Sequence, residues 1–194
     1  MVKHKLLALL LACTAWVVST PALAIDDLFN RNRNSLNGGF EPPKDTLYLK
    51  ECSGCHFVYA PGMLPARSWA ALMKGTRQHF GESLGLEEAS ATAISQYLQQ
   101  NAADRVQQGG SQVLMESLPT NLTPQRVMSV PRLRVAHRVM LEVIGTQPAV
   151  KVRTLINCDG CHQRAIDGDY SWEELRIDGL TKIMSVVVPG YWNR

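Results

Sequence analysis

Apolar positions recur at three- and four-residue steps in two stretches of the 194-residue chain, and each stretch predicts a helix. In the first, Trp69, Leu72, Met73 and Thr76 form one stripe, Ser68 is a candidate N-cap, and His79 continues the stripe. Gly81 and Gly85 then break the pattern, and a second helix is expected over 86–100 with Ala89, Ala93, Ile94, Tyr97 and Leu98 on one face. A shorter helix is expected through Leu47, Tyr48, Leu49 and Lys50, capped by Asp45 or Thr46. Asp26 to Pro43 reads as an extended lead-in, and Gln107 to Gln112 as a linker. Beyond it the pattern weakens: Thr123-Pro124 suits a helix start that Pro131 interrupts, and Ser171 to Glu174 suits a short capped turn. The apolar run Ile183 to Val188 reads as a buried or edge segment, with a partner surface as the rarer use.

The segment Met1 to Ala24 stands apart. Lys3 and Lys5 precede an apolar run, Leu6 to Val18, and Ala22-Leu23-Ala24 offers small side chains for cleavage. The run falls short of the roughly 20 residues that span a bilayer, so a secretory signal cut after Ala24 is expected rather than an anchor. Lipidation at Cys13 fits poorly, because the apolar stretch continues past it. Cleavage removes two lysines and no acid, so the net charge of +3 falls to +1. It also leaves four cysteines and four histidines in the mature chain, and no other membrane-length apolar run. A periplasmic chain without a membrane span is expected. Near-neutral charge gives no reason to expect nucleic-acid binding.

The remaining cysteines lie in Cys52-Ser53-Gly54-Cys55-His56 and Cys158-Asp159-Gly160-Cys161-His162. A Cys-x-x-Cys followed directly by His reads as covalent haem c attachment. Cysteines three apart on one helical turn reach the two vinyl groups of a porphyrin, and the following His reaches the iron. A shared Cys₄ zinc site is disfavoured, since Cys55 and Cys158 are much further apart than the roughly 15–20 residues usual between such pairs. A thioredoxin-like pair needs no following His, and a disulfide within one Cys-x-x-Cys would be strained. Two covalent haem c groups are therefore expected, held by Cys52, Cys55, Cys158 and Cys161.

With His56 and His162 as proximal ligands, only His79 and His137 remain, one for each iron. Either alone could be an ordinary surface or core histidine, but two for two irons favours bis-histidine ligation. Methionine is the competing ligand: Met63 follows His56 too closely, Met73 lies on a packing stripe, and Met115 falls beyond the final helix.

Helix, haem motif, distal-ligand loop and a last helix with the pair Tyr97-Leu98 resemble a class I cytochrome c, except that His79 stands where that class usually has methionine. The stretch after His162, Gln163 to Arg194, is too short for a second such module. The second iron must draw its ligand from upstream, where His137 lies. The expected fold is mainly α with much irregular structure: a class I cytochrome c-like N-terminal domain over 25–112 and a haem-organised C-terminal domain over 113–194.

A wider resemblance covers about residues 44–178. The string Cys52-Ser53-Gly54-Cys55-His56-Phe57-x-Tyr59-x-Pro61-Gly62-x-Leu64-Pro65-x-Arg67-Ser68-Trp69 resembles the signature of the bacterial dihaem cytochrome c (DHC) family. Asn157-Cys158-x-x-Cys161-His162-x-x-Ala165-x-x-Gly168-x-Tyr170 is similar to its second haem segment. The resemblance implies two bis-histidine low-spin haems, with His79 and His137 at the family's distal-ligand positions. It also implies electron exchange with redox partner proteins, a monohaem cytochrome or a membrane cytochrome b.

Two imidazoles on each iron leave no open site, which favours electron transfer over catalysis. Imidazole pairs also give lower potentials than Met/His ligation. The alternatives are a haem enzyme or ligand sensor with one open iron, or the small dihaem subunit of a periplasmic reductase. Arg126, Arg132, Arg134, Arg138, Lys151 and Arg153 stand against Glu142 alone between 126 and 153. Their expected use is split between docking an acidic partner and pairing with haem propionates.

Overall fold

The computed structural model describes residues 39–138, 140–142, 155–171 and 174–177. All of them belong to one compact unit, Asn34–Arg194, distinct from Met1–Arg33. The signal segment, most of the lead-in, Lys151, Arg153, Trp172, Glu173 and the tail from Gly179 to Arg194 lie outside the described residues.

Among the described residues the fold is helical, without a strand. Its helices are α1 (Thr46–Cys52), α2 (Ala66–Lys74), α3 (Glu88–Gln100), α4 (Gly109–Glu116) and α5 (Pro131–Ala136), joined by short 3₁₀ turns. α1 starts where expected: the Asp45 side chain accepts from the Tyr48 N–H at 2.7 Å. α2 starts earlier than its stripe predicts, with Pro65 rather than Ser68 at the N-cap. Ser68 is instead fully buried inside the first turn. Pro61–Met63 forms a 3₁₀ turn just before α2, and the Trp69 indole N–H donates back to the Pro61 carbonyl at 2.7 Å.

Two expectations in the middle of the chain give way. Gln107 to Gln112 is not a free linker, because α4 begins at Gly109 and buries Gly110 and Ser111. The Ser111 hydroxyl donates to the Gly62 carbonyl at 2.8 Å, and the Gly110 N–H to the Gly39 carbonyl at 3.2 Å. A Cβ at Gly110 would collide with that carbonyl, so the glycines that resembled a linker serve close packing. Likewise Pro131 does not interrupt a helix but starts α5, where a missing N–H has no cost.

One apolar core runs through the unit. Ile94 and Leu98 of α3 are buried with Tyr48 of α1, Trp69 of α2, Leu114 of α4 and Leu133 of α5. Ala165 and Tyr170, from beyond the second cysteine motif, join the same cluster. Tyr170 meets Phe40 edge-on at 5.4 Å, and the Phe40 N–H donates to the Gly168 carbonyl at 2.9 Å. Residues 39–40 are thereby pinned between α4 and the second motif.

Candidate haem sites

α1 delivers Cys52 in its last turn and ends there, capped by Ser53. Cys55 and His56 thus follow the helix rather than sharing one helical turn with Cys52, as the spacing argument expects. The second motif is tighter: Cys158–Gly160 is a 3₁₀ turn, and the His162 N–H donates to the Cys158 carbonyl at 2.8 Å. Residues 161–163 are braced by 174–176, through Gln163 N–H to Glu174 O at 3.1 Å and Arg176 N–H to Cys161 O at 2.8 Å. The four thiols form no disulfide. Burial pushes the Cys52 thiol up to about 11 and the Cys158 thiol up to about 12, so neither is a thiolate at neutral pH.

α2 stops at Gly75, and His79 is not on it. After the 3₁₀ turn Thr76–Gln78, His79 opens a two-residue hairpin: His79 N–H donates to Glu82 O at 2.7 Å, and Glu82 N–H returns to His79 O at 3.1 Å. Both central residues have positive φ, +52° at Phe80 and +105° at Gly81. That is natural for glycine and strained for phenylalanine. The Phe80 ring packs edge-on against His79 at 4.8 Å, and the Arg126 guanidinium lies 4.0 Å from the Phe80 ring centre. Arg126, read from sequence as part of a docking or propionate patch, is here a cation–π partner.

His79 faces His56 with ring centres 6.3 Å apart and planes inclined by 21°. His137, capping α5, faces His162 at 6.2 Å with planes at 68°. These separations suit a shared metal. An iron about 2 Å from each ligating nitrogen, with each ring centre roughly 1 Å further back, sets the centres about 6 Å apart. Stacked rings in direct contact would be closer. The tautomers suit it as well. His56 Nδ1 donates to the Phe57 carbonyl at 2.6 Å, and His137 Nδ1 to the Leu133 carbonyl at 2.9 Å, which leaves each Nε2 lone pair free. Burial, with His56 as the next cause, lowers the pKa of His79. Burial, with His137 next, lowers that of His162 to about 4. Both histidines are therefore held in the neutral form that binds metal.

A porphyrin also needs apolar walls. Six large apolar side chains are exposed among the described residues, and five of them, Phe80, Val135, Leu141, Ile156 and Ile166, lie close in sequence to a motif cysteine or one of these histidines. Such a distribution fits two flat macrocycles, one between each histidine pair. Met63, a rival ligand, is buried in the core, and Met73 packs against it.

Sequence reasoning missed what joins the motifs. The Phe57 N–H, next to His56, donates to the Asn157 side-chain oxygen at 3.1 Å, and the Tyr59 hydroxyl donates to the Ile156 carbonyl at 2.7 Å. Phe57, Tyr59 and Asn157 do stand in the family-like strings, but nothing in a one-dimensional pattern pairs positions so far apart.

A helical fold with two attachment motifs, each beside a facing histidine pair, defines a c-type cytochrome with two haem sites. The dihaem cytochrome c (DHC) family model matches residues 48–170, and the chain belongs to that family. It is similar to a diheme cytochrome c from Rhodobacter sphaeroides, with 37% identity and a TM-score of 0.57 over 67% of this chain and 99% of that one. A second structure, of DHC purified from Rhodobacter sphaeroides, has 34% identity and a TM-score of 0.50 over 66% and 99%. The diheme cytochrome from Shewanella baltica OS155, at 24% identity, shares the fold with a TM-score of 0.55 over 70% and 94%. No curated protein matches the chain. Two covalently bound haem c groups follow from the family, and the Cys-x-x-Cys-His sites agree with them. Among the described residues no helix is long and apolar enough to cross a membrane.

Proposed function

We propose that the chain is a periplasmic electron carrier in which His56 and His79 hold one haem iron and His162 and His137 the other. The family is one of haem-based electron-transfer proteins. The observation that carries the finer reading is the two pairs of facing imidazoles, at 6.3 and 6.2 Å. Cys52 and Cys55 anchor the first haem, and Cys158 and Cys161 the second. When bound, each haem supplies one-electron exchange at its iron. The chain's own residues would fix the four imidazoles that hold the irons, and Phe80, packed against His79, would shield one of them from water. The haem sections are proposed as 25–112 and 113–194, and export as directed by the charge–apolar–small order of residues 1–24. The partners are other redox proteins, a monohaem cytochrome or a membrane cytochrome b.

Oxidised near-infrared and EPR spectra of the purified holoprotein test this, together with carbon monoxide binding to the reduced form. Two low-spin bis-histidine signals, no methionine–iron band and no carbon monoxide uptake are expected. A high-spin iron or stoichiometric uptake would replace the carrier with a haem enzyme or ligand sensor.

A further inference from the structure

We propose that Asn157, the residue before the second haem motif, is a positioning residue for the first iron site and orients the His56 imidazole through the Phe57 backbone. The inference rests on reading His56 as an axial ligand. His56 Nδ1 donates at 2.6 Å to the carbonyl of the very next residue, Phe57. That ring closes only while the Phe57 backbone keeps its orientation, because rotation about the bonds flanking the His56–Phe57 peptide (His56 Cα–C and Phe57 N–Cα) swings away the Phe57 carbonyl, which lies in the next peptide. On one side the buried Phe57 side chain resists such a turn. On the other, the peptide's N–H is held at 3.1 Å by the Asn157 side-chain oxygen. Without that acceptor the part-buried Phe57 N–H loses its protein partner, and the Phe57 backbone is free to turn toward water.

The consequence reaches the iron. An Nδ1–H paired with a carbonyl makes the imidazole a more basic ligand, which favours the oxidised metal. Losing the acceptor weakens that preference. The parallel tie from the Tyr59 hydroxyl to Ile156 O, at 2.7 Å, keeps the two motifs side by side when Asn157 is truncated. The effect of Asn157 is thus separable from simple loosening of the fold. It also crosses between sites: a residue adjacent to Cys158 acts on the haem of Cys52 and Cys55.

The holoprotein test is EPR with a redox titration on Asn157→Ala, Asn157→Asp and Tyr59→Phe. The two irons are told apart by their ligand planes. The near-parallel pair at 21° gives a rhombic low-spin signal, and the pair at 68° gives one dominated by a single large g value. Asn157→Ala is expected to shift the rhombic signal and to favour reduction of that iron about fivefold, the worth of one hydrogen bond, with the other iron unmoved. Asn157→Asp keeps an acceptor oxygen and is expected to restore the rhombic g values, while Tyr59→Phe leaves both signals in place. A change confined to the large-g signal, an equal change in both, or none would overturn the proposal. If Asn157→Ala takes up no haem, Asn157→Gln, which displaces the acceptor by one methylene, carries the same reading. Failure of the axial-ligand reading itself is distinguishable: the unmutated protein would then bind carbon monoxide or show a methionine–iron band.

Discussion

An imidazole binds metal only through an unprotonated nitrogen, so the state of each histidine decides what these sites can do. Replacing His79 or His137 by Ala is expected to open one iron per variant, read as one equivalent of carbon monoxide bound by the reduced protein. Acid acts in the same direction. His162 is held from its ordinary 6.5 down to about 4, first by burial and then by His137. The unfolded chain takes up a proton near 6.5 that the folded chain refuses until about 4. The contribution of His162 to stability is therefore complete above about pH 6.5 and is lost progressively as pH falls toward about 4. Melting temperatures measured across that window check the sign, and a protein that melts later at lower pH would contradict it. At this scale the cysteines and histidines were legible, because attachment chemistry imposes a local spacing that any reader of the chain can find. Arg126 was not: as one basic residue among six it resembled a docking charge, and only its place 4.0 Å from the Phe80 ring reveals its contact.

The helices hold these residues by ordinary packing, and their weak points are specific. α3 is anchored by the fully buried Ile94 and Leu98, so Ile94→Ala is expected to cost about 2–5 kcal/mol in denaturant unfolding. The hairpin presenting His79 depends on Gly81 at φ +105°, which no other residue adopts without strain. Gly81→Val is expected to loosen that hairpin and raise the fraction of reduced protein binding carbon monoxide, with the second site unchanged. Helix existence was legible from apolar spacing, but helix ends were less so. The stripe through Thr76 to His79 continued on paper, whereas Gly75 ends α2 and a 3₁₀ turn changes the direction of the chain. Periodicity records which face is apolar; it does not record where a glycine turns the backbone.

On the scale of the molecule, Phe40 at the end of the lead-in and the segment after the second haem motif share a core. Phe40 lies against Tyr170, and a Cβ at Gly168 would meet the Phe40 carbonyl, at a residue whose φ is already +79°. Gly168→Ala is accordingly expected to destabilise the protein by about 1–3 kcal/mol. Because core residues from Phe40 to Tyr170 form one cluster, thermal unfolding followed by haem absorbance and by far-ultraviolet dichroism is expected to coincide. Two separated transitions would show that the second motif folds independently.

The chain by itself determined the chemistry: two haem c attachments, a histidine count matching two irons, and a helical frame. These depend on short-range order, since a thioether pair, an adjacent ligand and an amphipathic helix each need only a few neighbouring residues. Tertiary structure alone decided what meets what. Within Gln107 to Gln112 a helix starts at Gly109, with Gly110 and Ser111 buried and Gly110 against Gly39, and Asn157 came to the Phe57 N–H because both motifs dock on one core. Such contacts join residues far apart along the chain, and their stabilisation exists only once the chain between them has folded.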